Sequence, residues 1–312
     1  MRMLLVEDSS VYRAMITRYL REWSYDVTVV KDGLEAWKLL QQPDAPKLLV
    51  ADWVLPGMDG VELCRNLRKK IANDSYIYTI LLTGKCDRED LLEAMAAGAD
   101  DYLTKPFDEL ELQARLQVGK RILDLQQELV TAREGMRHAA THDALTGLMN
   151  RKETLAFLSR ELVRAKRERA SCGVIMADID HFKRINDSQG HLFGDEVLKE
   201  VSHRLGLSLR VYDGVGRYGG EEFIMVLPGC DLKATLHRAD EIRKFVCAQP
   251  IVKSEIQTTV TMSLGVAVAD GTRENRVEAL LQQADEGLYA AKAKGRNRVE
   301  YLSSSVVLGA VP

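Results

Sequence analysis

The chain has 312 residues, 46% apolar and 29% charged, with 22 Gly and 7 Pro; this is a globular composition, long enough for two domains, and it excludes a disordered, collagenous or low-complexity chain. Against 46 Asp and Glu stand 43 Lys and Arg, a net charge of −3 that gives no bulk attraction to DNA, RNA or anionic lipid. No segment approaches the roughly 18 to 20 apolar residues of a membrane span. The start MRMLLVEDSS is broken by Glu7 and Asp8 and does not read as a signal peptide. The five cysteines and six histidines are read as forming neither a disulfide framework nor a transition-metal site. A cytoplasmic protein with no DNA partner and no membrane partner is expected.

From Met1 to about Gln117, short apolar runs alternate with segments of helical period. MLLV precedes a helix over Ser10–Trp23, VTVV one over Gly33–Leu40, LLVAD one over Gly60–Ile71, YTILLT one over Arg88–Ala97, and DYLT one from Glu109 onward. Five βα units imply a doubly wound, five-stranded parallel sheet with its site at the carboxyl ends of the strands. Glu7, Asp8, Asp52, Thr83 and Lys105 fall there. Glu7 and Asp8 suit a hard cation such as Mg²⁺, Asp52 a nucleophile that accepts a phosphoryl group, and Lys105 and Thr83 its oxygens. Each alone reads equally well as an ordinary loop residue; their shared edge carries the reading.

The stretches VEDS, ADWVLP, LLTG and YLTKP resemble the response-regulator receiver family, whose fold is flavodoxin-like. The resemblance implies phosphorylation of Asp52 by a histidine kinase and one Mg²⁺ per receiver, held by Glu7, Asp8, Asp52 and the carbonyl of Val54. It also implies a switch made of Thr83, Lys105 and Tyr102, and a cis peptide before Pro106.

Over residues 118–140, Val118, Ile122, Leu125, Leu129, Ala132 and Met136 alternate four and three apart, the seam of a coiled-coil stalk. The alternative is an amphipathic helix packed on its own domain. The last receiver helix is expected to run straight into the stalk. Gly119 and Gly135, each costing a helix roughly 1 kcal/mol relative to Ala, read as hinges or tolerated defects.

Residues 141–302 read as an α+β domain with a central antiparallel hairpin. A helix over Lys152–Arg169 leads to the strand VIMA, which ends in Asp178, Ile179 and Asp180. A helix from Phe193 to about Leu207 follows, then two strands joined at Gly219 and Gly220, a helix over Lys233–Val246, strands QTTVTM and GVAVA, and a helix over Val277–Ala293. Gly-Gly suits a two-residue turn with positive φ at both positions and lets a ligand approach the backbone. Glu221 and Glu222 follow the turn beside the strand that ends in Asp178. Carboxylates facing across strands repel unless a divalent metal joins them, and two such metals can bind a triphosphate for displacement at phosphorus. The bland alternative is an exposed acidic hairpin tip.

The segments DALTGLMNR (Asp143–Arg151), DIDHFKRINDSQGHLFGDE (Asp178–Glu196), RYGGEEF (Arg217–Phe223) and ADEGLYAAKAKGRNRV (Ala284–Val299) together resemble the GGDEF family of diguanylate cyclases in its GGEEF form. The resemblance implies a nucleotide-cyclase-like domain that condenses two GTP to cyclic di-GMP and pyrophosphate across an antiparallel dimer, with two Mg²⁺ per half-site. It implies Asp178, the Ile179 carbonyl and Glu221 as metal ligands, and Glu221 as base for the attacking 3′-hydroxyl. Glu222 joins them with a less definite role. Gly219 and Gly220 flank the substrate, Asn186 and Asp195 bind the guanine edge, and Phe182 (through its backbone), Lys183, Lys292 and Arg296 bind phosphates.

The pattern RxxD at Arg210 and Asp213 implies an inhibitory product site, while Glu241 stands where some relatives have a second arginine and leaves the cross-linked form of that site open. The chain thus reads as a phosphorylation-controlled cyclase, a homodimer through stalk and receiver and open to higher assembly. The alternatives are a noncatalytic module that binds cyclic di-GMP or GTP, and a cyclase of mixed GMP and AMP products, which Asp195 disfavours. The tail Ser303–Pro312 is expected to be flexible.

Overall fold

Strands buried on both faces need unbroken apolar runs, and that is what the first sheet contains. β1 (Arg2–Val6), β2 (Asp26–Val30), β3 (Leu48–Asp52), β4 (Tyr78–Thr83) and β5 (Asp101–Thr104) form a parallel sheet in the order β2-β1-β3-β4-β5. Leu4, Val6, Leu49, Ala51 and Leu81 point to one face, where they meet Ala36 and Leu40 of α2 (Gly33–Leu40), Val61 and Cys64 of α3 (Gly60–Lys70) and Ala94 of α4 (Arg88–Ala96). Met3, Leu5, Val50, Ile80 and Leu82 point to the other, against Ile16 and Leu20 of α1 (Ser10–Glu22) and Leu112 and Leu116 of α5 (Glu109–Thr141). The chain order reverses between β1 and β3, which brings the end of each to one crevice.

The structure, a computed structural model, describes residues 1–70, 76–84, 88–253, 256–272 and 276–302. Ile71, Cys86 and the tail Ser303–Pro312 therefore lie outside the described residues. Two units separate, Met1–Glu134 and Gly135–Pro312. Among the described residues no helix is long and apolar enough to cross a membrane.

As the sequence suggests, α5 continues without a break from the first unit into the connector. Its buried positions are Leu112, Leu116, Gly119 and Leu123, whereas the heptad residues lie on other faces, Val118 being 50%, Leu129 70% and Met136 74% exposed. Gly119 is neither hinge nor defect: a Cβ there would come within 2.6 Å of the Tyr78 ring, so the helix needs glycine to pack on β4. Gly135 meets nothing within 4 Å.

In the second unit, β6 (Cys172–Ile179) is buried along its whole length between β8 (Glu222–Pro228) and β11 (Met262–Ala269), antiparallel to both. With β7 (Gly214–Arg217) and β12 (Val299–Tyr301) the sheet order is β12-β11-β6-β8-β7. Ile175, Ala177 and Ile179 face α8 (His191–Ser208) and α9 (Leu232–Cys247); Val174 and Met176 face α6 (Arg151–Glu168) and α10 (Val277–Ala293). Side-chain caps start these helices, Asn150 accepting from the Glu153 amide at 3.0 Å and Asp231 from Ala234 at 2.8 Å.

Four sequence expectations change here. An extra helix, α7 (Phe182–Gln189), precedes α8, because Phe182 and Ile185 turn inward on an otherwise polar segment. QTTVTM is not one strand: Ile256–Thr258 (β10) pairs only with Ile251–Lys253 (β9), and β11 begins at Met262. β12 adds a parallel edge beside β11. Finally, Gly219 and Gly220 do not take positive φ; Tyr218 donates to the Glu222 carbonyl at 2.8 Å, and three residues make the tip.

Candidate functional site

In the first unit the ends of β1, β3 and β5 bring Glu7, Asp8, Asp52 and Lys105 together. Carboxylate oxygens of Glu7, Asp8 and Asp52 all lie within 4.8 Å of one another, an all-oxygen set suited to a hard divalent cation. Lys105 Nζ reaches Glu7 Oε2 at 2.7 Å and Asp52 Oδ2 at 2.9 Å. Burial pushes the Glu7 carboxyl above its ordinary range, with the Asp52 charge adding to the shift and Lys105 opposing it. Burial works against the Lys105 ammonium, but its two carboxylate partners outweigh that and raise its pKa. The Tyr12 ring lies 4.5 Å from Lys105 Nζ and shields it from the side. Thr83 is buried at the end of β4 and Tyr102 half-buried on β5, while the Val54 side chain is exposed. The Lys105–Pro106 peptide is cis.

In the second unit the strand register sets Asp178 opposite Glu222, and the Ile179 amide donates to the Glu221 carbonyl at 3.2 Å. Asp178 is buried, and Lys292 of α10 pairs with it at 2.8 Å. Burial nonetheless raises the Asp178 pKa, against the pull of Lys292. Glu221 is raised as well, first by burial and then by the Asp178 charge. Two carboxylates that resist ionisation beside each other are a site that gains from a bound divalent cation. A Cβ at Gly219 would meet the Glu222 carboxylate, whereas the space beside Gly220 is open.

Asn186 of α7 lies against α8, where a Cβ on Gly194 would overlap its Oδ1; that oxygen is buried and has no hydrogen-bond partner. Asp195, the next residue of α8, is half-buried. Phe182 is buried in the core, consistent with any ligand contact through its backbone, and Lys183 is exposed. Lys292 and Arg296 do not share a helix face as their spacing suggests. The helix ends at Ala293, and Gly295, Arg296 and Asn297 all take left-handed φ of 111°, 64° and 47°. Arg296 still acts on Asp178 electrostatically, from this turn.

Three residues of this site carry no role in the sequence reading. Asp180 is buried; its carboxylate accepts from the hydroxyls of Thr261 and Ser263, each at 2.7 Å, and from the Asn297 amide at 3.0 Å. It thereby ties the left-handed turn to the sheet. Arg217 spans the hairpin tip, donating to the Gly220 carbonyl through Nη2 at 2.7 Å and pairing with Asp143 at 3.1 Å. Asp143 lies in DALTGLMNR and Arg217 in RYGGEEF, and only their opposite charges hint at the pairing.

Arg210 and Asp213 form one turn: the Asp213 carboxylate accepts from the Arg210 amide at 2.9 Å, and the guanidinium reaches the Tyr212 hydroxyl at 2.8 Å. Glu241 is paired with Arg238 at 3.0 Å.

Residues 140–298 match the family described as "Diguanylate cyclase, GGDEF domain", and residues 3–117 match the "Response regulator receiver domain". The response regulator PleD of Caulobacter vibrioides is 34% identical over 259 residues, covering 81% of this chain and 56% of PleD. Diguanylate cyclase DosC of Escherichia coli is 39% identical over 195 residues, covering 62% of this chain and 42% of DosC. This chain thus spans about half the length of these curated relatives. The solved coiled coil and GGDEF domain of DgcB from Caulobacter crescentus, in complex with c-di-GMP, is 31% identical at a TM-score of 0.53, over 61% of this chain and 98% of that one. With matching residues on both units, the chain belongs to the diguanylate cyclase GGDEF-domain family and carries a response-regulator receiver domain ahead of it.

Proposed function

We propose that the chain is a diguanylate cyclase governed by its receiver, condensing two GTP to cyclic di-GMP and two pyrophosphates. The observation that carries this reading is the buried Asp178, paired with Lys292 at 2.8 Å, on a strand whose next residue, Ile179, donates its amide to the Glu221 carbonyl. Glu221 would take the proton that leaves the 3′-hydroxyl as its oxygen attacks the α-phosphorus of the other GTP. Mg²⁺, two ions held at Asp178, Glu221 and the Ile179 carbonyl, supplies positive charge to the triphosphate when bound. Lys292 and Arg296, with Lys183 and the Phe182 amide, bind phosphate oxygens. The unpartnered Asn186 oxygen and the Asp195 carboxylate accept from the guanine edge, and adenine lacks the N1 and N2 donors Asp195 needs.

Each domain holds one GTP, so two chains must meet. The exposed seam from Val118 to Met136 supports pairing through α5. Phosphorylation of Asp52 by a histidine kinase, with one Mg²⁺ at Glu7, Asp8 and Asp52 and the Val54 carbonyl, sets that pairing through Thr83, Lys105 and Tyr102. Arg210 and Asp213 hold cyclic di-GMP as an inhibitor. GTP and a kinase phosphodonor place the protein in the cytoplasm.

The test is incubation of wild type and Glu221→Gln with GTP and Mg²⁺, reading products by mass spectrometry. Cyclic di-GMP from wild type and none from the variant is expected. Binding of GTP without product in wild type would replace this reading with the noncatalytic module.

A further inference from the structure

The last turn of α5 carries His138 and His142, which the sequence reading treats as unrelated. They are four residues apart, the His142 amide donates to the His138 carbonyl at 2.8 Å, and their rings stack at 4.1 Å with 15° between planes. His138 is exposed and His142 half-buried. Two imidazoles one helical turn apart have the spacing with which helices chelate transition metals; the stacked rings send their in-plane lone pairs side by side, and rotation of the exposed His138 is what turns both onto one ion.

Which nitrogen of His142 is free follows from Thr141. Its Oγ1 lies 2.8 Å from the Arg137 carbonyl and 2.8 Å from His142 Nδ1. A hydroxyl has one hydrogen, and the carbonyl can only accept, so that hydrogen goes to Arg137. The hydroxyl oxygen then accepts from Nδ1–H of His142, which leaves the lone pair on Nε2. An imidazole oriented by an outer hydrogen bond through one nitrogen and open at the other is the arrangement found at metal-bound histidines. The carboxyl end of a helix, with its unpaired carbonyls, also favours a cation.

We infer that His138 and His142 chelate a borderline divalent transition-metal ion, one per chain, with water completing its shell. Nitrogen donors exclude Mg²⁺ from this site and favour Zn²⁺, Ni²⁺ or Cu²⁺. A cation bridging the two rings fastens the end of α5 directly beside Asp143, the residue that pairs with Arg217.

The experiment uses the full chain, stripped with chelator and kept in millimolar Mg²⁺ so that the oxygen sites are filled. Zn²⁺ is titrated by calorimetry into wild type, His138→Gln, His142→Gln, the double variant and Thr141→Val, with circular dichroism confirming the fold of each. One site per chain is expected in wild type, weakened at least about tenfold by either single substitution and absent from the double. Thr141→Val, which keeps both rings but frees the tautomer, should fall between. Cu²⁺ bound to wild type should show nitrogen hyperfine splitting in its paramagnetic resonance spectrum, and the double variant should not. Identical Zn²⁺ isotherms for wild type and the double variant, or a Cu²⁺ spectrum without nitrogen splitting, would overturn the assignment.

Discussion

Arg217 and Asp143 are 74 residues apart in the chain and 3.1 Å apart in the fold. The same guanidinium also holds the carbonyl of Gly220, so one side chain joins the loop after α5 to the tip that carries Glu221. Asp143→Asn keeps the shape and removes the charge. It should lower cyclase turnover by between about tenfold and a hundredfold, the range for a misplaced catalytic group. Turnover at saturating GTP, measured beside the unfolding midpoint, checks this.

The clamp's pH dependence has a definite sign. Burial alone would raise the Asp143 pKa, but hydrogen bonds from Thr146 and Arg217 outweigh it and hold the carboxyl below its ordinary range. A depressed carboxylate contributes stability that is present above its unfolded pKa and lost as pH falls through the folded one. Wild type minus Asp143→Asn stability should therefore be constant from pH 6 to 8 and shrink only below about pH 4. Chemical unfolding across that range would measure it.

Asp178 and Glu221 behave oppositely. Their folded pKa values are raised, so their contribution is fullest below the unfolded values and is lost as pH rises through the folded ones. Glu221→Gln should thus abolish turnover by at least about a hundredfold while leaving the metal-free unfolding midpoint at pH 7 unchanged or higher. A lower midpoint would show that Glu221 is structural.

Asp180 distinguishes holding from binding. Asp180→Ala leaves the Asn297 amide and two hydroxyls without their acceptor and should cost about 1–3 kcal/mol of stability and raise KM for GTP more than it lowers kcat. Asp180→Asn can still accept from Asn297 and Thr261 with its oxygen while Ser263 accepts from its amide, so it should restore most of the KM. Steady-state kinetics of the two variants provide the check.

In the receiver, Lys105→Ala strands two carboxylates, one of them, Glu7, fully buried. A loss of about 3–5 kcal/mol at pH 7 is expected, as for other broken buried pairs. The loss should shrink as pH falls and Glu7 takes up a proton, which urea unfolding at two pH values can read.

The parallel sheet was legible because β1, β3 and β4 are apolar runs with no solvent face, and the loops that end them carry charged residues. The placing of Asp178 and Glu221, the carboxylates proposed for catalysis, beside strand ends was legible from the apolar run VIMA and the Gly-Gly turn. α7 was not, since FKRINDSQ presents only Phe182 and Ile185 to the core and its polar residues mask the period. Nor was the turn at Gly295–Asn297, where two of three left-handed residues are not glycine and Asp180 accepts from the Asn297 amide. Partners distant in sequence, such as Arg217 with Asp143, leave no local pattern to read. The Gly-Gly tip misled because turn chemistry alone suggests positive φ, while here the glycines give clearance at Glu222 and open space beside Gly220.

The most direct measurement is the rate of cyclic di-GMP formation from GTP and Mg²⁺, followed by mass spectrometry with and without beryllofluoride, in wild type and Asp52→Asn. The account predicts product that increases with beryllofluoride in wild type and does not respond in Asp52→Asn. No cyclic di-GMP from wild type under either condition would contradict it.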